Sequence, residues 1–367
     1  MAEKVDLKRI ARELNLAVST VSRALRDSYE ISEETKRKVF ALARQLNYEP
    51  NPYASSLRRQ KSKTIGVILP ELPNNFFTHV VNGIEFVARQ KDYHVLIYIT
   101  HERVEQEMAL IRHLQSGRVD GVLASICAGA QDIAHFQSLQ QQGIPLVFFD
   151  RVCEDVGIPT VTTNDYAASF NATVHLIEQG CRNLYHLTLP LHLSITRKRL
   201  QGFMDALRQY HLPIHESTVL IANDMDMFYQ QLEHVLCSAQ PPDGLFAAVE
   251  KLVLLVYHIC QKRHIRIPEQ LKVLAFSNLE TAPLLAPPLT TITQPAFEIG
   301  KKAAEILFKK IEKKRDPFEQ MHYVIPSALI IRDSTRTSSY FITHPSTEIL
   351  ISRPVYFFIF LFFYFFI

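Results

Sequence analysis

Leu7, Ile10, Ala11 and Leu14 fall at i, i+3, i+4 and i+7, the single apolar stripe of a short amphipathic helix. Asn15-Leu16-Ala17 interrupts it, and a second stripe follows with Val21, Ala24 and Leu25. A third opens at Ser32, a good N-cap, with Glu33 and Glu34 placed against the helix dipole. It carries Val39, Ala43 and Leu46 and ends before Pro50. Two helices joined by a three-residue turn and braced by a third predict a helix-turn-helix unit.

The pattern changes at Thr64. Continuous apolar runs at residues 64–70, 94–99, 121–126 and 145–150 predict buried strands, with helices over 78–91, 103–116 and 131–142 between them. The alternation resumes beyond residue 165, with strands at 184–189, 244–249 and 272–276 and helices at 166–179, 198–210, 228–239 and 250–263. A last strand run fits Ile330-Ile331-Arg332-Asp333. The class is α/β: two similar halves with parallel sheets covered on both faces and a cleft between them.

Charge sharpens the division. Residues 1–63 hold 14 Lys+Arg against 8 Asp+Glu, whereas residues 64–367 hold 26 against 29. A basic head on a slightly acidic body points to a polyanionic partner. Five Cys without a C-x-x-C argue against a zinc ribbon and against a disulfide framework. No P-loop, nucleophile–base constellation or metal-ligand spacing is present, so no enzyme, cofactor or metal is expected. The first fifteen residues have no apolar h-region, so no secretory signal is expected and the expected compartment is the cytoplasm.

The head is similar to the LacI family of bacterial transcription regulators. The blocks V18-S19-T20-V21-S22-R23-A24-L25, I31-S32-E33-E34-T35-K36-R37-K38-V39 and L46-N47-Y48-E49-P50-N51 carry the resemblance, in the family's order and spacing. It implies that Val18, Ser19 and Arg23 read bases of a double-stranded, roughly palindromic operator, with Thr20 and Ser22 toward phosphates. The family's usual Gly-Val-Ser turn is here Asn15-Leu16-Ala17. Asn tolerates positive φ, but Ala17 removes the side-chain cap of the reading helix at ~1 kcal/mol. Residues 50–63 alone read as a flexible basic linker. The match at Asn51, Ala54, Leu57 and Arg58 implies a hinge helix that pairs with its copy in a homodimer and wedges Leu57 into the minor groove.

The likeness continues through N74-N75-F76-F77, G83-I84-E85, R118-V119-D120-G121, F149-D150-R151, R199-L200-Q201-G202-F203 and P288-L289-T290-T291-I292 to I331-R332-D333-S334-T335. It implies a body like periplasmic sugar-binding proteins, holding a small effector, a sugar or sugar derivative, with Asn74, Phe76, Asp150, Arg151, Arg199, Ser277 and Gln294. An aromatic face with carboxylate, guanidinium and amide groups suits a polyhydroxyl ligand. Two departures weaken a simple sugar. Val249-Glu250 stands where the family has Asn-Asp, and Ser277 replaces a usual Asp. The plainer readings are a strand-end ion pair of Asp150 with Arg151 and a surface location for Arg199.

The resulting organisation is a head (1–49), a hinge (50–63), a two-lobed effector and dimerisation body (64–335) and an apolar tail (336–367). Lobe 1 takes about 64–163 and 294–322, and lobe 2 about 164–293 and 323–335. The tail lies outside the family pattern. Its 13 consecutive apolar residues, 355–367, are too few for a spanning helix of ~20, so no membrane partner is expected and the tail reads as dispensable. The function implied is a ligand-responsive repressor of carbohydrate or other catabolic genes. The competing readings are a cytoplasmic carbohydrate-binding protein without DNA regulation, against which the basic head argues, and a regulator with a degenerate pocket.

Overall fold

In a computed structural model that describes residues 6–48, 61–72, 74–128, 133–153, 156–215, 218–313 and 321–336, the three opening stripes are helices. They are α1 (Leu7–Glu13), α2 (Val18–Ala24) and α3 (Glu33–Gln45). Asp6 Oδ1 accepts from Arg9 N at 2.8 Å to cap α1, and Ser32 Oγ accepts from Thr35 N at 3.3 Å to cap α3. Ala17 gives α2 no side-chain cap, as its composition requires. The turn is held open by Asn15 at φ 53°, a left-handed conformation that Asn tolerates. Ile10, Ala11, Val21, Ala24, Val39 and Ala43 close a small core from all three stripes.

Among the described residues the body contains two six-stranded sheets. The first has the order β11-β5-β4-β3-β1-β2, from β1 (Thr64–Leu69), β2 (His94–Ile99), β3 (Gly121–Ala124), β4 (Leu146–Phe149), β5 (Thr160–Thr163) and β11 (His322–Ile325). The second has the order β12-β10-β9-β8-β6-β7, from β6 (Leu184–Thr188), β7 (Val219–Ile221), β8 (Gly244–Ala247), β9 (Lys272–Phe276), β10 (Thr290–Thr293) and β12 (Ala328–Ile330). Among the described residues all pairings are parallel except β10 with β12, so the sheets are parallel as expected, with one antiparallel strand at the edge of the second. Helices α4 (Asn75–Gln90), α5 (Val104–Leu114), α6 (Ala134–Gln141) and α11 (Ala296–Ile311) cover the first sheet. Helices α7 (Asp165–Glu178), α8 (Ser194–Gln209), α9 (Met225–Leu236) and α10 (Glu250–Arg263) cover the second. The central strands are buried on both faces, which is why they read as unbroken apolar runs.

Each lobe has one helix pair in close contact, and the glycines of the family-like blocks make it possible. A side chain on Gly83 of α4 would collide with Phe297 O of α11, and one on Gly202 of α8 with Tyr166 O of α7. Only a residue without Cβ permits backbone approach this close.

The chain passes between the lobes after β5, after β10 and after β11. The expected return at residue 322 is therefore displaced: residues 323–325 complete the first sheet. The register of β11 on β5 pairs Tyr323 with Val161 and Ile325 with Thr163, and Thr160 Oγ1 meets His322 Nδ1 at 2.9 Å. The last strand ends at Ile330, so 331–333 is not strand. Arg332 instead donates to Leu289 O at 2.6 Å and Ser334 Oγ to Val273 O at 2.6 Å, fastening the segment by side chains. Strands β5, β7, β10 and β11 and helix α11 have no counterpart in the periodicity reading, because their runs are short or interrupted by Thr and Lys.

Candidate functional site: an interlobe cleft and a helix-turn-helix face

Both sheets have the same winding, so the chain leaves their central strands in opposite directions and opens a crevice at the strands' carboxyl ends. The two crevices face each other. Asn74 and Phe76 follow β1, Asp150 and Arg151 follow β4, Ser277 follows β9 and Gln294 follows β10. Arg199 comes from α8, which follows β6. All seven predicted effector residues line one cavity of about 260 Å3, together with Glu71, Leu189, Ile195, Val249, Glu250, Lys251, Phe276 and Asn278.

Asp150 sits at φ 58°, an uncommon backbone for a non-glycine residue, and is 6% exposed. Burial pushes its carboxyl up to about 6, against the charges of Arg151 and Arg199. Arg151 Nη1 bonds Glu102 Oε1 at 2.7 Å, so its guanidinium is anchored from the end of β2, a partner the sequence did not reveal. Burial works to raise Glu102, but Arg151 and the Ala128 N–H outweigh it and hold the carboxyl below its usual range.

Arg199 is not a surface residue: it is 2% exposed. Its Nε donates to Asp165 Oδ1 at 2.7 Å and its Nη1 to Ala248 O at 2.6 Å, while the guanidinium lies 3.7 Å from the Phe276 ring centroid. One edge of the fork is therefore structural. Three buried donors on these cleft residues, Arg151 Nε, Arg199 Nη2 and Gln294 Nε2, have no hydrogen-bond partner among the described residues. Buried donors of this kind carry a desolvation cost until an acceptor arrives. The cleft thus offers three donors, one carboxylate that burial raises to about 6 and the aromatic ring of Phe76.

Glu250 is more than a departure from the family pattern. At the start of α10, its Oε2 accepts from Ser277 Oγ at 2.7 Å and Asn278 N at 3.1 Å. Its Oε1 accepts from Asn75 Nδ2 of the opposite lobe at 2.7 Å. Lys251 and Glu71 form a second crossing at 3.7 Å, and His79 and Glu280 a third at 3.4 Å. The two altered positions, Glu250 and Ser277, thus satisfy each other. The only hint in the sequence was that both departures occur together.

In the head, Val18, Ser19 and Arg23 are exposed on α2, and Thr20 and Ser22 are half-buried beside them. Asn51, Ala54, Leu57 and Arg58, with the rest of residues 49–60, lie outside the described residues, as does the tail from 337. The chain's entry into the body is fixed by Asp120, which accepts from Ser62 N at 2.6 Å, Ser62 Oγ at 2.8 Å and Lys63 N at 3.1 Å. Among the described residues no helix is long and apolar enough to cross a membrane.

Residues 6–51 match the family model described as bacterial regulatory proteins, lacI family. Residues 62–332 match the model described as periplasmic binding proteins and sugar binding domain of LacI family. The ribose operon repressor of Halalkalibacterium halodurans is 29% identical over 332 residues, covering 90% of this chain and 97% of the relative. Catabolite control protein A of Priestia megaterium is 27% identical over 334 residues, covering 90% and 99%. Among solved structures, the lac repressor dimer bound to operator and an anti-inducer superposes with a TM-score of 0.79 at 22% identity, over 91% of this chain and all of that one. A LacI-type protein of Alkaliphilus metalliredigens complexed with D-xylulofuranose gives 0.65 at 28% identity, over 75% and 100%.

Proposed function

The chain belongs to the LacI family of bacterial regulatory proteins, a DNA-binding head on an effector-binding body, and on that premise we propose that it represses transcription of catabolic genes in response to a small hydroxylated effector. The observation that carries this reading is the convergence of Asn74, Phe76, Asp150, Arg151, Arg199, Ser277 and Gln294 on one cavity in a chain whose basic head exposes Val18, Ser19 and Arg23. The action is recognition, with no reaction catalysed, and takes place in the cytoplasm.

The head works as one of a pair. A single reading helix touches few base pairs, so two heads related by a two-fold axis are needed for specific affinity on a roughly palindromic site. Arg9, Arg26 and Arg58 are among the phosphate-reaching cations, which gives a steep salt dependence. The effector docks between the lobes, donating a hydroxyl to Asp150 and accepting from Arg151 Nε, Arg199 Nη2 and Gln294 Nε2. It acts on the operator by its differential affinity for open and closed bodies. Because Ser277 Oγ is committed to Glu250 and Val249 offers no acceptor, simple unmodified pentoses and hexoses bind weakly.

Selection from a randomised duplex pool tests the DNA function: enrichment of a palindrome, bound by a dimer in sedimentation, is expected, and a pool without enrichment overturns it. A thermal-shift screen of sugars, sugar acids and sugar phosphates tests the sensor. Submicromolar calorimetric binding of ribose or glucose would overturn the expectation for unmodified sugars.

A further inference from the structure

Arg23 Nη1 is paired with Glu30 Oε2 at 2.8 Å, with 54% and 45% of the two side chains exposed. Arg23 lies on α2, and Glu30 in the loop before α3. This loop is fastened at both ends. Arg26 N and Ser28 N donate to Arg23 O, each at 3.1 Å, and Asp27 N donates to Ala24 O at 3.0 Å. Ser28 Oγ accepts from Glu30 N at 3.4 Å, and Ile31, next in the chain, packs on the head core. Lys36 of α3, 7% exposed, then holds Asp27 at 2.6 Å and Glu33 at 2.8 Å. Glu30 is thus delivered to one place beside the exposed face of α2.

An exposed ion pair of this kind adds little to folding stability. A carboxylate on the face that meets phosphates also opposes DNA binding. Its chemistry does suit base reading. The ion pair takes up Nη1 of Arg23 and leaves Nε and Nη2, a two-donor edge that matches guanine O6 and N7. A carboxylate beside it accepts from a cytosine N4 amino group and is repelled by thymine O4. We propose that Glu30 is a positioning residue for base recognition: it aims Arg23 at guanine and makes each half-site require a G·C pair at that place. This rests on the DNA-reading function proposed above.

The test uses the full-length protein and duplexes selected from a randomised pool, comparing the parent with E30Q, E30D, R23A and the R23A/E30Q double variant. The parent should enrich one invariant G·C pair per half-site, and its replacement by A·T should weaken binding about tenfold. In E30Q that discrimination should fall to about twofold, while binding to an unselected duplex strengthens because a repelling charge is gone. E30D keeps the charge but withdraws the carboxylate, so it should lose discrimination without gaining non-specific affinity. R23A/E30Q should discriminate no worse than R23A alone, the mark of two residues acting as one unit. Unchanged tenfold discrimination in both E30Q and E30D would overturn the inference and leave the DNA function standing. A parent that enriches no sequence would overturn both.

Discussion

Asn75 Nδ2 donates to Glu250 Oε1 at 2.7 Å, and this bond joins the first lobe to the second across the mouth of the cleft. The body therefore carries its own contact between the lobes, made by a residue that also lines the cleft. Asn75→Ala should cost roughly 1 kcal/mol and leave the lobes wider apart. Glu250→Ala should cost more, because it also strips the partner from Ser277 Oγ and Asn278 N. Melting temperature and radius of gyration by X-ray scattering check both. Melting and scattering identical to the parent in both variants would show that the contact does not hold the cleft.

Arg199 is expected to be needed for the fold as well as for the effector. Arg199→Ala leaves Asp165 buried without its partner, a loss on the order of 3–5 kcal/mol in urea unfolding. The Arg199→Ala/Asp165→Ala variant should unfold at higher urea than Arg199→Ala alone. If the double variant were the less stable of the two, Asp165 would have other compensation. Gln294→Leu tests the ligand more cleanly, because it removes one cleft donor and leaves the Arg199–Asp165 pair in place.

Two buried groups should give opposite pH dependences. Burial raises Asp150 to about 6, so its neutral form is favoured by folding, and its contribution is full below the unfolded value near 3.8 and lost as pH rises through 6. His186 is 0% exposed between Phe203 and Phe246, and burial with the Arg199 charge lowers it to about 3. Its contribution is full above about 6.5 and lost as pH falls toward 3. The two offset each other between pH 4 and 6. Relative to the parent, Asp150→Asn should make stability rise more steeply with pH in that window, and His186→Phe should make it rise less. Each change approaches ~1.4 kcal/mol per pH unit. Urea unfolding at half-unit pH steps reads both slopes, and slopes unchanged from the parent would contradict the assignment.

The uncapped start of α2 offers a gain. Ala17 has φ −69° and ψ 144°, the extended conformation of a capping residue, but no side-chain acceptor. Ala17→Ser should stabilise the head by about 1 kcal/mol. Asn15→Ala, at φ 53°, should destabilise it by ~1–2 kcal/mol. Calorimetry of the head transition checks the two signs.

The sequence by itself determined what depends on local order. Stripe spacing placed the three head helices, unbroken apolar runs placed most central strands, and the missing hydroxyl at Ala17 foretold the missing cap. The family resemblance also named seven residues that share a cavity: six lie close behind the carboxyl end of a strand, and Arg199 comes from α8. Tertiary structure decided the rest, because a charged side chain's partner is set by which distant segment the fold brings within 3 Å. Arg199 took Asp165 from the neighbouring helix, Arg151 took Glu102 from the end of β2, and Glu250 took Asn75 from the other lobe. The last passage between lobes came after residue 325 for the same reason: a four-residue strand has too little periodicity to declare its sheet, and only its register on β5 chose one.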